Sequence, residues 1–203
     1  MSVYRTTKTK ISNMNFAELK DKIEEAARQA FLEMFEKHGK EEIYAFALYS
    51  DDGAMTVCPS TNTMTHLTSQ DDWQDDLTCK YGPAEWKYEC EGADDLFDEI
   101  CELCRNEFSE KERDEFLRMR EDKIDQSKIG KFRVQLYETC IEVLEKLKSE
   151  NFFKQIVGKD IFLYFAVSDG FEFSREKWQE MIIRLNDNEY RDEYLAWMET
   201  WPW

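Results

Sequence analysis

Two seven-residue segments, Ile43–Tyr49 and Ile161–Val167, are apolar on both alternating faces, and they constrain the fold more than any other feature of the sequence. A strand with this pattern is covered on both sides. We therefore predict two central strands, at about 42–49 and 160–167. Neither segment is long enough to span a bilayer.

The residues after the first segment predict an antiparallel hairpin. Asp51-Asp52-Gly53 is a tight-turn sequence, and residues 55–58 can return as the partner strand. Pro59 is expected to end that strand. A further short extended piece is expected around residues 80–81 and 86–88.

Apolar residues at helical spacing account for most of the remaining chain. Stripes of this kind follow Asn15, recur from Leu96 to Phe108, are clearest from Ile129 to Leu147, and return after Trp178. The chain contains only 7 Gly and 3 Pro, which favours long helices over a many-turned β-sandwich. The sequence predicts an α+β fold, with a small, mainly antiparallel sheet packed against several amphipathic helices.

We expect one domain. Residues 1–14 carry three basic residues and no acid, and are interpreted as a flexible lead-in. Residues 15–203 contain no repeat, no low-complexity segment and no clear linker, so they are interpreted as a single α+β domain.

Cysteine and histidine patterns do not favour a cofactor. Cys101 and Cys104 have a spacing that can bind a metal or form a redox pair, but both fall on the apolar stripe of their predicted helix. We interpret them as core residues and expect no metal and no cofactor. With only two histidines, a catalytic triad is not indicated.

Carboxylates at the ends of the two predicted strands form an alternative site. Asp51 and Asp52 follow the first strand, and Asp169 follows the second. If the strand ends meet, these side chains could hold a hard cation, with Glu85 as a candidate acid or base. The competing interpretation is that they are turn residues.

The position of the negative charge is the most informative feature for function. The net charge is −17, and residues 51–125, with 22 acids and 8 bases, account for −14 of it. This excess disfavours binding to nucleic acid or to anionic lipid. An acidic field attracts a basic protein, and aromatic residues can anchor it. The candidate binding residues are Asp71, Asp72, Trp73, Asp75, Asp76, Glu85, Trp86, Asp94, Asp95 and Asp98.

The chain also resembles a known family. Its segments Tyr44–Tyr49 with Asp51-Asp52, Pro83–Trp86 with Tyr88, Phe97–Ile100 and Ser168-Asp169 occur in order at suitable distances. Over residues 15–185 they resemble the bacterial family catalogued as domain of unknown function 4303. The resemblance implies an α+β bacterial cytoplasmic protein and brings no activity or catalytic residues with it.

The sequence also gives expectations for the cellular compartment and the oligomeric state. No export signal is visible at the start of the chain, and six cysteines are too few for a disulfide scaffold, so we expect a cytoplasmic protein with reduced thiols. The tryptophan-rich end, Tyr190–Trp203, is expected to pack on the core of a monomer or to support a weak dimer.

The leading hypothesis is a non-enzymatic domain that binds a basic partner protein, for example as an immunity-type inhibitor. Two alternatives remain open. One is a small metal-dependent enzyme that uses the strand-end carboxylates. The other is a DNA-mimicking decoy, which requires two ordered rows of acidic side chains.

Overall fold

The computed structural model describes residues 14–69, 76–119, 127–168 and 173–202. Within them, four strands lie among nine α-helices. The strands are β1 (Ile43–Asp51), β2 (Cys58–Thr63), β3 (Tyr88–Glu89) and β4 (Phe162–Ser168). The helices are α1 (Phe16–His38), α2 (Met64–Leu67), α3 (Leu77–Tyr81), α4 (Asp94–Asn106), α5 (Glu110–Leu117), α6 (Lys128–Ser149), α7 (Phe152–Val157), α8 (Arg175–Leu185) and α9 (Glu189–Met198).

The α+β class is confirmed, and the sheet is mixed. Its order is β3-β2-β1-β4, with β1 antiparallel to β2 and β2 antiparallel to β3. β1 and β4 are parallel, so the carboxyl ends of these two strands lie side by side. Asp51 is the register partner of Ser168 at that end.

One of the two predicted central strands lies at the edge. β1 is central, whereas β4 ends the order of the described strands. β4 is nevertheless buried on both faces, which explains its central-strand pattern. Its outer edge is covered too, because the buried Asn186 side chain bonds both the N–H and the C=O of Leu163, each at 2.9 Å. An edge covered in this way is protected from pairing with another chain.

The hairpin partner begins later than the sequence predicts. β2 starts at Cys58, and Pro59 is its second residue, paired with Leu48, so the prediction that Pro59 ends the strand is wrong. The Pro59 carbonyl accepts the Cys90 N–H at 2.9 Å. The N and O of one strand residue point to the same side, so the missing N–H faces β3 and the pairing with β1 is kept.

The helices pack on both faces of the sheet. On one face, Phe31 of α1 lies 5.4 Å from Phe46 of β1, ring centre to ring centre, and Phe165 of β4 lies 5.2 Å from Tyr137 of α6. On the other face, Phe162 lies 4.7 Å from Tyr81 of α3 and 5.6 Å from Tyr194 of α9. The aromatic rings therefore form much of the core on each side.

The tryptophan-rich end packs onto this core. The Trp197 ring lies 6.1 Å from that of the buried Tyr81, and the Trp201 ring lies 6.0 Å from that of the buried Tyr194. No helix in the described ranges has both the length and the apolar character needed to cross a membrane.

Candidate functional site

Helix α4 presents a row of carboxylates on one side and core residues on the other. Asp95, Asp98 and Glu102 are exposed and lie three or four positions apart, which places them on one side of the helix. The opposite side buries Phe97, Ile100, Cys101 and Cys104. We call Asp95, Asp98 and Glu102 the acidic face.

The acidic face forms no ion pair in the described part of the chain. Asp95, Asp98 and Glu102 form no ion pair there, whereas the adjacent Glu99 pairs with Lys22 of α1 at 2.7 Å. Elsewhere the acids are commonly paired, as when Arg184 binds both Glu138 and Glu145 at 2.7 and 3.0 Å. The acidic face is therefore exposed to solvent without an ion-pair partner among the described residues.

The segment before α4 fixes where the helix starts. Gly92 has φ +100°, and a Cβ placed there would lie 3.0 Å from the Cα and the carbonyl oxygen of Ala30 in α1. Asp94 accepts the Gly92 N–H at 3.1 Å, and Glu33 accepts the Ala93 N–H at 3.0 Å. Close packing on α1 therefore holds the acidic face in place.

Asp76 and Glu85, which were also predicted as binding residues, lie outside α4. Asp76 is exposed and caps α3 by accepting the Thr78 N–H at 2.8 Å, and Glu85 is exposed in the short 3₁₀ turn Pro83–Glu85. Asp94 and Asp95 lie in the first turn of α4, where carboxylates interact favourably with the helix dipole. α3 contacts α9 and the 3₁₀ turn, whereas α4 contacts α1.

Trp86 does not present its ring to solvent. It is 4% exposed, its indole N–H donates to the Lys80 carbonyl at 3.2 Å, and its ring packs toward Phe162. It belongs to the core and does not serve as an exposed anchor. Asp71, Asp72, Trp73 and Asp75 lie outside the described residues.

The strand-end carboxylates are engaged in local structure. Asp51 Oδ2 accepts the Met55 N–H at 3.0 Å and the Thr56 hydroxyl at 2.6 Å, as in a turn. Asp52 pairs with the buried Arg133 of α6 at 2.7 Å. Asp169 lies outside the described residues. In the described ranges, no three His, Cys, Asp or Glu side chains are grouped so as to hold a metal ion.

A cluster around Glu41 was not predicted from the sequence. Glu41 accepts hydrogen bonds from Tyr88 at 2.9 Å and Lys87 at 3.1 Å, and lies 3.0 Å from His38 Nδ1. Burial would raise the pKa of Glu41, but these three hydrogen bonds outweigh it and lower the pKa to about 2. The spacing of His38 and Glu41 was the only local signal, because Tyr88 is 47 positions away.

Comparison with known proteins identifies a family without an assigned activity. Residues 23–187 match the family model described as domain of unknown function (DUF4303). No curated protein and no solved structure matches the chain.

Proposed function

The chain belongs to the DUF4303 family, and we propose that this member is a protein-interaction domain whose acidic face binds a basic partner protein. The observation that carries the proposal is the row Asp95, Asp98 and Glu102, exposed and without ion pairs in the described part of the chain. The row lies within Tyr88–Glu102, which contains seven acids and no base.

Helix stability explains only part of this row, because the helix dipole favours Asp95 in the first turn but the spacing of the like charges does not. Like charges three or four positions apart destabilise a helix by about 0.2–0.5 kcal/mol per pair. Because like charges at this spacing destabilise the helix, their presence supports a role in recognition.

The chemistry of the row selects the partner. Carboxylates in solvent repel phosphate, so a nucleic acid or an anionic membrane is a poor ligand. Lysine and arginine side chains are the complementary groups, and the acidic field would raise the rate of encounter with a protein that carries them. An immunity-type inhibitor that blocks a basic protein is one role of this kind.

The alternative functions receive less support. The Asp51 carboxylate accepts a hydrogen bond within the turn, and Asp52 is ion-paired with Arg133. Both carboxylates are therefore poorly placed to act as catalytic groups. A DNA mimic needs two rows of carboxylates, and α4 contributes one. The acidic face is therefore better suited to a basic protein surface.

The proposal is tested by capture from a lysate of the native host at low salt. Wild type is compared with two variants that each lose three carboxylates. The acidic-face variant carries Asp95→Asn, Asp98→Asn and Glu102→Gln. The control variant carries three changes at exposed positions of α8 and α9, Glu176→Gln, Glu180→Gln and Glu189→Gln.

We expect wild type and the control variant to capture the same basic protein, and the acidic-face variant to lose it. The proposal fails if no specific protein is captured, or if the acidic-face variant captures as well as the control. Circular dichroism establishes that each variant is folded.

A further inference from the structure

A cavity of about 400 Å³ lies beside the start of β4. The end of α6, helix α7 and the turn between α8 and α9 form its walls. Sites for small molecules in proteins have volumes of about 300–1,000 Å³, so this cavity is large enough to hold one. Its lining combines apolar side chains, two ion pairs and one side-chain amide.

The apolar part of the lining belongs to the core of the protein. It consists of four buried side chains, Phe153, Ile161, Leu163 and Leu185. They come from α7, from the start of β4 and from the last residue of α8. An apolar group that enters the cavity therefore leaves water for a hydrocarbon surface, which is favourable.

The charged part of the lining is balanced. It consists of two ion pairs, Lys148 with Asp187 at 3.0 Å and Lys154 with Asp160 at 2.9 Å. A lysine ammonium has three N–H donors. Lys148 uses two of them in the described contacts and Lys154 uses one, so both can donate to a further acceptor. Because the lining carries no net charge, it complements a zwitterion better than a ligand with a net charge.

Asn188 has a buried acceptor atom without a donor among the described residues. Its side-chain N–H donates to the Ile161 carbonyl at 3.2 Å, which fixes the orientation of the amide. Its Oδ1 atom is buried and accepts no hydrogen bond from those residues. A buried carbonyl oxygen without a donor is unfavourable. Asn188 lines the cavity, so an occupant can supply the missing donor.

We propose that this cavity binds a free amino acid with a large apolar side chain. The ammonium of the ligand donates to Asn188 Oδ1, and its carboxylate accepts from the remaining N–H donors of Lys148 and Lys154. Its side chain packs on the apolar part of the lining. The three parts of such a ligand thus match the three kinds of group that the cavity presents. The inference is independent of the proposed function, because the cavity is built from elements other than α4.

The test measures the binding of L-leucine to the full chain by isothermal titration calorimetry. Three related compounds each lack one part of leucine: 4-methylpentanoate lacks the ammonium, 3-methylbutylamine lacks the carboxylate, and glycine lacks the side chain. We expect each of them to bind at least about tenfold more weakly than leucine.

Two matched variants locate the binding. Ser149 lines the cavity and is exposed, so Ser149→Trp fills part of the space without changing a core residue. Ser69→Trp is the control, because Ser69 is also exposed and each serine hydroxyl donates to the carbonyl three positions earlier, at 2.8 Å for Ser149 and 2.7 Å for Ser69. We expect Ser149→Trp to weaken leucine binding at least about tenfold and Ser69→Trp to leave it unchanged.

A third variant, Asn188→Leu, tests the amide. It removes the Oδ1 acceptor, so it should weaken the binding of leucine but not that of 4-methylpentanoate, which has no ammonium to donate. This difference separates a direct contact from a general loss of structure. Circular dichroism establishes that each variant is folded.

Three results would overturn the assignment. The first is the absence of leucine binding to wild type at concentrations up to about 10 mM, which is the behaviour of a cavity that holds only water. The second is leucine binding that Ser149→Trp does not weaken, since binding then takes place elsewhere. The third is binding of 4-methylpentanoate or 3-methylbutylamine as tight as that of leucine, since the cavity then does not recognise a zwitterion.

Discussion

Arg133 is a buried charge that forms an ion pair with Asp52. It is 4% exposed on α6, and its guanidinium binds Asp52 at 2.7 Å, beside the turn that follows β1. Removing one member of a buried ion pair leaves the other without its partner. The turn and α6 are therefore coupled through this contact.

We expect Arg133→Ala to lower the free energy of unfolding by about 2–3 kcal/mol, less than for a fully buried pair because Asp52 is 31% exposed. Lys154→Ala is the control, since its ion pair with Asp160 is about half exposed on both sides and should matter by less than about 0.5 kcal/mol. Urea unfolding measures both. Equal losses in the two variants would show that the Arg133 pair contributes no more than a surface pair.

Glu41 gives the protein an acid-sensitive contact. Its folded-state pKa is about 2, below the ordinary value of 4.5, so its contribution is complete above pH 4.5 and is lost as the pH falls toward 2. Glu41→Gln should lower the free energy of unfolding by about 1–2 kcal/mol at neutral pH, and the difference from wild type should shrink between pH 4.5 and 2. Exposed Glu36→Gln is the control. A difference that stays constant across this range would contradict the assignment.

Single residues were predicted well where their partners are local, and poorly where they are distant. The start of α1 after Asn15 was predicted, and it depends on neighbours in sequence, because the Asn15 side chain accepts the Ala17 and Glu18 N–H groups. The link from Tyr88 to Glu41 and the contact of Cys101 with Val57 join distant positions, and no local pattern encodes them. The burial of Trp86 is of the same kind, since it depends on Phe162 in β4.

At the scale of elements, the junction between α1 and α4 depends on Gly92. Gly92→Ala combines an unfavourable backbone conformation at φ +100° with a close approach to the Ala30 backbone. Gly158→Ala has a similar φ of +86° but no atom within 4 Å of the new Cβ, so it isolates the backbone effect.

We expect Gly158→Ala to cost about 1 kcal/mol and Gly92→Ala to cost about 3 kcal/mol of unfolding free energy, because only the second also displaces packed backbone. Thermal or urea unfolding of the two variants measures the difference. If both cost the same, the close packing of α4 on α1 does not limit the position of the acidic face.

The elements themselves were largely predictable, and their order in the sheet was not. Helical periodicity identified α1, α4 and α6, and segments that are apolar on both faces identified β1 and β4. The edge position of β4 was hidden because Asn186 and the flanking helices cover a strand that would otherwise look exposed. The prediction for Pro59 was wrong because the sequence does not show which neighbouring strand faces the missing N–H. In the structure that strand is β3, so the pairing with β1 is kept.

For the whole molecule, the sequence indicated where the charge is concentrated, and the structure shows how part of it is arranged. Of the net −17, −14 lies in residues 51–125. Within that region α4 presents the acidic face, whereas Asp76 and Glu85 belong to a different group of elements. Among the described residues, the predicted binding carboxylates lie on more than one group of elements, and sequence periodicity alone could have identified those on α4.

The proposed binding is tested most directly by the association rate constant of the captured partner, measured by stopped flow at increasing ionic strength. The account predicts that the wild-type rate falls at least about tenfold from low to physiological salt. The acidic-face variant should start about tenfold slower and depend less on salt, while the control variant follows wild type. An acidic-face variant with the rate and salt dependence of wild type would contradict the account.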